Sequence, residues 1–176
     1  MTQPKPGGNG SNGSGGSGLT IAITGTRQVE SRSETLKGLF TSVLTPFATA
    51  FTPDRGWLLG GAAGVDTLAL RFLAGFDSGR LTVTVPVRRA DQPADAQNAI
   101  QRAQAAGRLD RVVELAHPEG IGPAAFTARN FWLVDHADLV IGFPLSATDD
   151  GSGTWETLNY AAELGRPYLV APLNRP

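Results

Sequence analysis

Cysteine is absent from this 176-residue chain, and lysine occurs only at positions 5 and 37. Without cysteine there is no disulfide and no cysteine-ligated metal. Thirteen arginines accompany the two lysines, yet the formal net charge is −1 and no lysine-rich arm or long basic run exists. Bulk electrostatics therefore offers no general attraction to nucleic acid. Arg88-Arg89 is the one adjacent basic pair, and His117 and His136 stand apart without metal-ligand spacing. The amino terminus has no apolar h-region, and no run approaches the ~18 apolar residues of a membrane span. A cytoplasmic protein with no membrane partner is the expectation. Missing too are the G-x-x-x-x-G-K-[ST] loop, a Ser-His-Asp elbow, and a G-x-G-x-x-G fingerprint after the first strand. These absences argue against P-loop hydrolysis, acyl transfer and a nicotinamide dehydrogenase. The sequence carries no metal or cofactor signature.

What the chain does have is glycine and alternation. Residues 1–18 are Gly, Ser, Asn and Pro with almost nothing to bury, which predicts a flexible tail. Residues 19–176 then form one domain with a single core. Apolar runs at Leu19–Thr24, Gly56–Gly60, Leu81–Val87, Arg111–Leu115, Asp138–Phe143 and Tyr168–Ala171 predict strands. Between them, helical spacing marks Glu34 to about Thr45, where Pro46 should end or kink the helix. It marks Val65–Ala74, Ala94–Ala106 with Gly107 as its C′ residue, Ala124–His136, and Trp155–Leu164 closed by Gly165. Strict β/α alternation predicts a three-layer α/β/α sandwich with a mostly parallel sheet of about six strands. Strand order is not encoded in this pattern.

Three glycine turns carry the functional signal. They are Gly25-Thr26-Arg27, Gly60-Gly61-Ala62-Ala63-Gly64-Val65-Asp66, and Gly151-Ser152-Gly153-Thr154. Each lies between a predicted strand and a predicted helix, where unpaired N–H groups and a helix dipole favour phosphate. In the second turn, small residues would let Gly60, Gly61, Ala62 and Gly64 approach phosphate oxygens, or would serve tight helix–sheet packing instead. Asp66 would complement the helix dipole, meet a ribose hydroxyl, or pair with an arginine such as Arg27. Arg27 offers a planar fork to phosphate or carboxylate. Arg129 sits among Phe126, Phe131, Trp132 and Leu133, so partial burial is expected and a partner is required. It either faces a ligand or pairs with Asp138, Asp135 or Glu156, with Asn130 orienting a neighbouring loop. Ser152 or Thr154 can cap the last helix or bind an anion there, and Thr154 and Thr157 share one helical face. Glu156 is the acid or base if there is chemistry, or else a first-turn glutamate complementing the dipole.

Taken in order, Gly25-Thr26-Arg27, Gly60-Gly61-Ala62-Ala63-Gly64-Val65-Asp66, Arg129-Asn130 and Ser152-Gly153-Thr154-Trp155-Glu156-Thr157 resemble the Rossmann-like superfamily that unites Smf/DprA DNA-processing proteins with LOG phosphoribohydrolases, the SLOG superfamily. Phe126-Thr127-Ala128-Arg129-Asn130 and Gly165-Arg166-Pro167 are similar to the DprA pattern, while the compact length and second turn look like the small YspA/YpsA-type members. The resemblance implies a nucleotide or nucleotide-derived ligand held at Gly25, Thr26, Arg27, Gly60, Gly61, Ala62, Gly64, Asp66, Arg129, Asn130, Ser152, Gly153, Thr154 and Thr157. Two alternatives follow from its branches. One is single-stranded DNA binding of the DprA type, with Trp57, Trp132 and Trp155 assigned to the core rather than to base stacking. The other is nucleoside 5′-monophosphate hydrolysis of the LOG type by Arg129 and Glu156. The LOG pattern is Gly-Gly-x-Gly-Thr-x-x-Glu. Here serine stands between the outer glycines, Thr157 holds the glutamate's place, and Glu156 falls one residue early. A homodimer through a sheet edge or helix face remains open.

Overall fold

The computed structural model describes residues 18–50, 55–77 and 79–174, so the predicted tail, apart from Gly18, lies outside the described residues. Six strands form one all-parallel sheet: β1 (Thr20–Gly25), β2 (Gly56–Gly60), β3 (Arg80–Val85), β4 (Leu109–Glu114), β5 (Leu139–Phe143) and β6 (Tyr168–Val170). Their spatial order is β4-β3-β2-β1-β5-β6. The chain moves outward from β1 to β4, then returns to place β5 on the other side of β1. That reversal makes the β1/β5 boundary the topological switch point, where an open α/β sheet leaves a crevice at its carboxyl edge.

Side-chain alternation explains the layers. From β1, Ile21 and Ile23 enter one core with Trp57 and Leu59, against Leu36, Phe40, Leu44, Leu70 and Ile100. Ala22 and Leu58 point the opposite way, into a second core with Leu133, Val134, Leu158 and Ala161. One face is thus covered by α1 (Ser33–Leu39), α2 (Thr45–Thr49), α3 (Val65–Leu73) and α4 (Ala94–Ala105), and the other by α5 (Pro123–Asp135) and α6 (Gly153–Glu163). The expected three-layer Rossmann-like sandwich is present. Gly107 and Gly165 follow α4 and α6 at φ of +66°, the left-handed geometry of a helix C′ glycine. Trp57 is fully buried, whereas Trp132 and Trp155 are half-buried against the second core. No helix among the described residues is long and apolar enough to cross a membrane.

Pro46 does not end the first helix. A π-helical turn, Phe40–Leu44, joins α1 to α2, and the N–H of Thr45 donates to the carbonyl of Phe40, five residues back. Proline cannot donate to the carbonyl four residues before it, and its ring crowds that carbonyl. Widening the preceding turn to π geometry relieves the crowding and places Pro46 in the first turn of α2. The buried stripe Leu36, Phe40, Leu44 and Ala48 runs unbroken through the junction.

Gly38 is the weak point of α1. It is exposed, and a Cβ added there would meet no heavy atom within 4 Å. Gly38→Ala should raise stability by about 0.5–1 kcal/mol, because alanine has less backbone freedom to lose in a helix. Urea denaturation checks this, and an unchanged or lower midpoint counts against the assigned helix.

Candidate functional site

The strand–turn–helix grammar brings the three glycine turns and the first half of α5 to one place. They enclose a cavity of about 390 Å³ at the carboxyl ends of β1 and β5. Two backbone bonds fix the β1 turn there: Thr26 N–H donates to Phe143 O at 3.0 Å, and Val65 N–H to Thr26 O at 3.1 Å. The second bond holds the start of α3 against that turn. Gly64 makes this possible, since its φ is +83° and an added Cβ would lie 2.6 Å from the Arg27 Cα and the Thr26 carbonyl.

Beneath the cavity lies a buried ion pair. Arg129 and Asp66 are each about 5% exposed, and Arg129 Nη1 donates to Asp66 Oδ2 at 3.1 Å. The same carboxylate oxygen accepts from the Ala62 N–H at 3.4 Å. Arg129 therefore has a partner, but none of the three expected for it. Asp138 instead accepts from the Thr20 N–H, Asp135 from the Tyr160 hydroxyl, and Glu156 from the Thr127 hydroxyl. Asp66, for its part, pairs with Arg129 rather than with Arg27. These partners are set by topology: α5 crosses the sheet beside β2, opposite the turn into α3, a neighbourhood that linear spacing does not display.

Of the glycines in the second turn, Gly60 makes room for this pair and Gly61 for a core valine. An added Cβ on Gly60 would fall on the Arg129 guanidinium, and one on Gly61 would lie 2.5 Å from Val85. Gly60, Gly61 and Gly64 do not line the cavity; from their turn, Ala62 and Asp66 do. Thr157 is also set apart, fully buried with its hydroxyl donating to Gly153 O at 2.7 Å. Gly25, Thr26, Arg27, Ala62, Asp66, Arg129, Asn130, Ser152, Gly153, Thr154 and Glu156 all reach the wall.

Its electrostatics are local. Arg27 is exposed, makes no ion pair among the described residues, and places its Cζ 4.5 Å above the centroid of the Phe126 ring. Such a cation–π contact orients the guanidinium without cancelling its charge. At the opposite wall, Ser152 stands at the N-cap position of α6 with no side-chain hydrogen bond to the helix, and its N–H donates to Asp150 Oδ1 at 3.0 Å. The N–H groups of the first turn of α6 are thus left for whatever enters, at the positive end of the dipole. Glu156, exposed in the same turn, takes the Thr127 hydroxyl on both carboxylate oxygens at 3.1 and 3.2 Å. Burial pushes the Asp66 carboxyl up, against the opposing pull of Arg129 first and then of the Ala62 N–H.

Sequence reasoning did not place Pro123, Phe126 and Thr127 at the site, although all three line it. With Asn130 they occupy positions i, i+3, i+4 and i+7 of α5, one face of a helix. That mixed stripe was the available signal, masked by the large apolar residues Phe131, Trp132 and Leu133 beside it.

No family model matches the chain, and no curated protein matches it. Among solved structures, DNA processing protein A from Helicobacter pylori is similar, with a TM-score of 0.67 at 22% sequence identity. The likeness covers 90% of this chain and 67% of that one. The chain has the fold of DNA processing protein A. That neighbour is itself a single-stranded DNA binder, with a binding mode described as unique.

The buried pair yields a pH-dependent prediction. A carboxyl whose folded pKa is raised keeps its proton after the unfolded chain has released it. Its contribution is therefore most favourable at low pH and declines as pH rises from the ordinary carboxylate value of 3.8 through the folded value. Arg129→Met removes the main opposing pull and leaves a buried carboxyl without its cation, which should cost about 3–5 kcal/mol at neutral pH. The loss should be smaller at pH 5 than at pH 8 and should be largely recovered by adding Asp66→Asn. Urea denaturation at the two pH values checks this; equal losses at both would show that Asp66 is not the group responsible.

Proposed function

We propose that this domain binds a nucleotide or nucleotide-derived ligand, with a phosphate between Arg27 and the start of α6. The observation that carries this reading is Arg27. It is an exposed guanidinium with no ion pair among the described residues, held over Phe126 beside a cavity whose far wall is a helix N-terminus without a side-chain cap bond. A fork-shaped cation on one side and backbone N–H groups on the other make a two-sided phosphate cradle. Arg129 supports it from below, its charge largely balanced by Asp66.

The wall also carries Glu156. Two arginines facing two carboxylates give a cavity of little net charge, which fits one or two phosphates better than a long polyphosphate. Hydrolysis of the LOG type would require ribose phosphate release that depends on Glu156, with Arg129 acting on substrate while bound to Asp66.

Single-stranded DNA binding is the second reading. The likeness to DNA processing protein A supports it, as does the Arg27–Phe126 pair, since strands are commonly held by arginines and aromatic platforms. The net charge of −1 and the absence of a long basic run favour the compact ligand.

Calorimetric titration with nucleoside mono-, di- and triphosphates and with oligothymidylates of increasing length separates the readings. A small nucleotide should bind with shallow salt dependence, and Arg27→Ala should weaken it tenfold or more, about 1.4 kcal/mol. Affinity that grows with strand length and falls steeply with salt, without binding of mononucleotides, would establish the DNA reading instead. Product analysis of each binding nucleotide tests for hydrolysis.

A further inference from the structure

Beyond the Arg27–Phe126 contact the site continues. A second cavity of about 390 Å³ shares Arg27, Ala62, Phe126 and Arg129 with the first, and extends between the turn before α3 and the loop before α5. Its own walls are different in kind, being built from Ala63, Pro93, Gln92 and Ile121. Ile121 is 48% exposed, one of five large apolar side chains in that condition among the described residues, and it overhangs this cavity. The acidic residue at the rim is already engaged: Asp91 forms two bonds of 3.0 Å with the Arg88 guanidinium. Gln92, 7% exposed, is held by its amide donating to the Arg88 carbonyl at 3.3 Å. The compartment is therefore apolar, and apart from the arginines it shares with the first cavity it adds no uncompensated charge.

We propose that this second cavity is a nucleobase subsite, so that one ligand spans both compartments with its phosphate beside Arg27 and its base between Ala63 and Ile121. The proposal rests on the phosphate reading of the first cavity. Three features select a base as occupant. A second phosphate would find no further cation and would lie near Asp91. A flexible apolar chain would gain nothing from the planar guanidinium of Arg27 at the partition, whereas flat heteroaromatic rings stack on such planes. The rim also supplies a buried side-chain amide, Gln92, as a polar group among apolar walls, the usual composition of a small-molecule pocket. Covering Ile121 with a ring takes its exposed surface out of water.

The test compares the full chain with its Ala63→Phe and Ile121→Ser variants. Each is titrated with adenosine, guanosine, cytidine and uridine 5′-monophosphates and with ribose 5-phosphate, which has phosphate and sugar but no base. At least one nucleoside monophosphate should bind tenfold or more tighter than ribose 5-phosphate. Ala63→Phe should abolish that advantage and leave ribose 5-phosphate binding unchanged. Ile121→Ser alters an exposed side chain and so guards against misfolding; it should weaken the nucleotide severalfold and again spare ribose 5-phosphate. Equal affinity for nucleotide and ribose 5-phosphate, or nucleotide affinity indifferent to both substitutions, overturns the base subsite while leaving the phosphate reading in place. If neither kind of probe binds the unmodified chain, the phosphate reading fails and the subsite with it.

Discussion

The Asp66–Arg129 ion pair is the constraint on which the geometry of this site depends. Both partners are about 95% removed from water, and charges in that position persist only when each is satisfied by the other and by hydrogen bonds. The pair joins the first turn of α3 to the middle of α5, two helices on opposite faces of the sheet. It can do so only at the carboxyl edge of β2, where Gly60 presents no side chain. Any larger residue there would displace the guanidinium, and α5 would lose its anchor to the turn. The positions of Phe126, Thr127 and Asn130, and through them the wall of the cavity, follow from where Arg129 is tied.

This arrangement separates two jobs that a row of glycines and arginines can suggest for one ligand. Gly60, Gly61 and Gly64 accommodate protein atoms, while the cavity wall is made by residues with side chains or by a helix terminus. Arg129 is locked and balanced; Arg27 is exposed and uncommitted. A cavity built in this way has a rigid floor and an adaptable rim. The floor is fixed by low-dielectric electrostatics and the rim is left to respond to what arrives.

Element type and order were legible from residue patterns because buried parallel strands and amphipathic helices leave strong periodic marks. The six strands and the helices after Gly64 and Ser152 fall within a few residues of where apolar spacing puts them. Pro46 was misleading because its effect depends on the turn before it, which can widen instead of ending. At the site, local signals were readable and pairings were not. Arg129 demanded a partner by its setting, but the three carboxylates expected for it, Asp135, Asp138 and Glu156, are not that partner, and the choice of Asp66 depends on how α5 lies across β2. That packing brings the Arg129 guanidinium over Gly60, a contact that nothing announces in linear order. The second cavity was invisible for the same reason, since Ala63, Gln92 and Ile121 come from three separate connections.

Strand order also bears on how the chain is made. From β1 to β4 each strand pairs with its predecessor, so four of the six strands can assemble from neighbours in sequence as the polypeptide emerges. The other edge of β1 must wait for β5, whose Leu139 pairs with Ile21 across more than one hundred intervening residues. During synthesis, the strand that ends at the centre of the molecule is therefore an outer strand, with its unpaired N–H and C=O groups open to other chains. The Arg27 turn is completed only when β5 arrives, because Thr26 is held by the carbonyl of Phe143. Closing the exposed edge and assembling the cavity are thus a single late event, which makes a completed cavity also the mark of a chain past its most aggregation-prone stage.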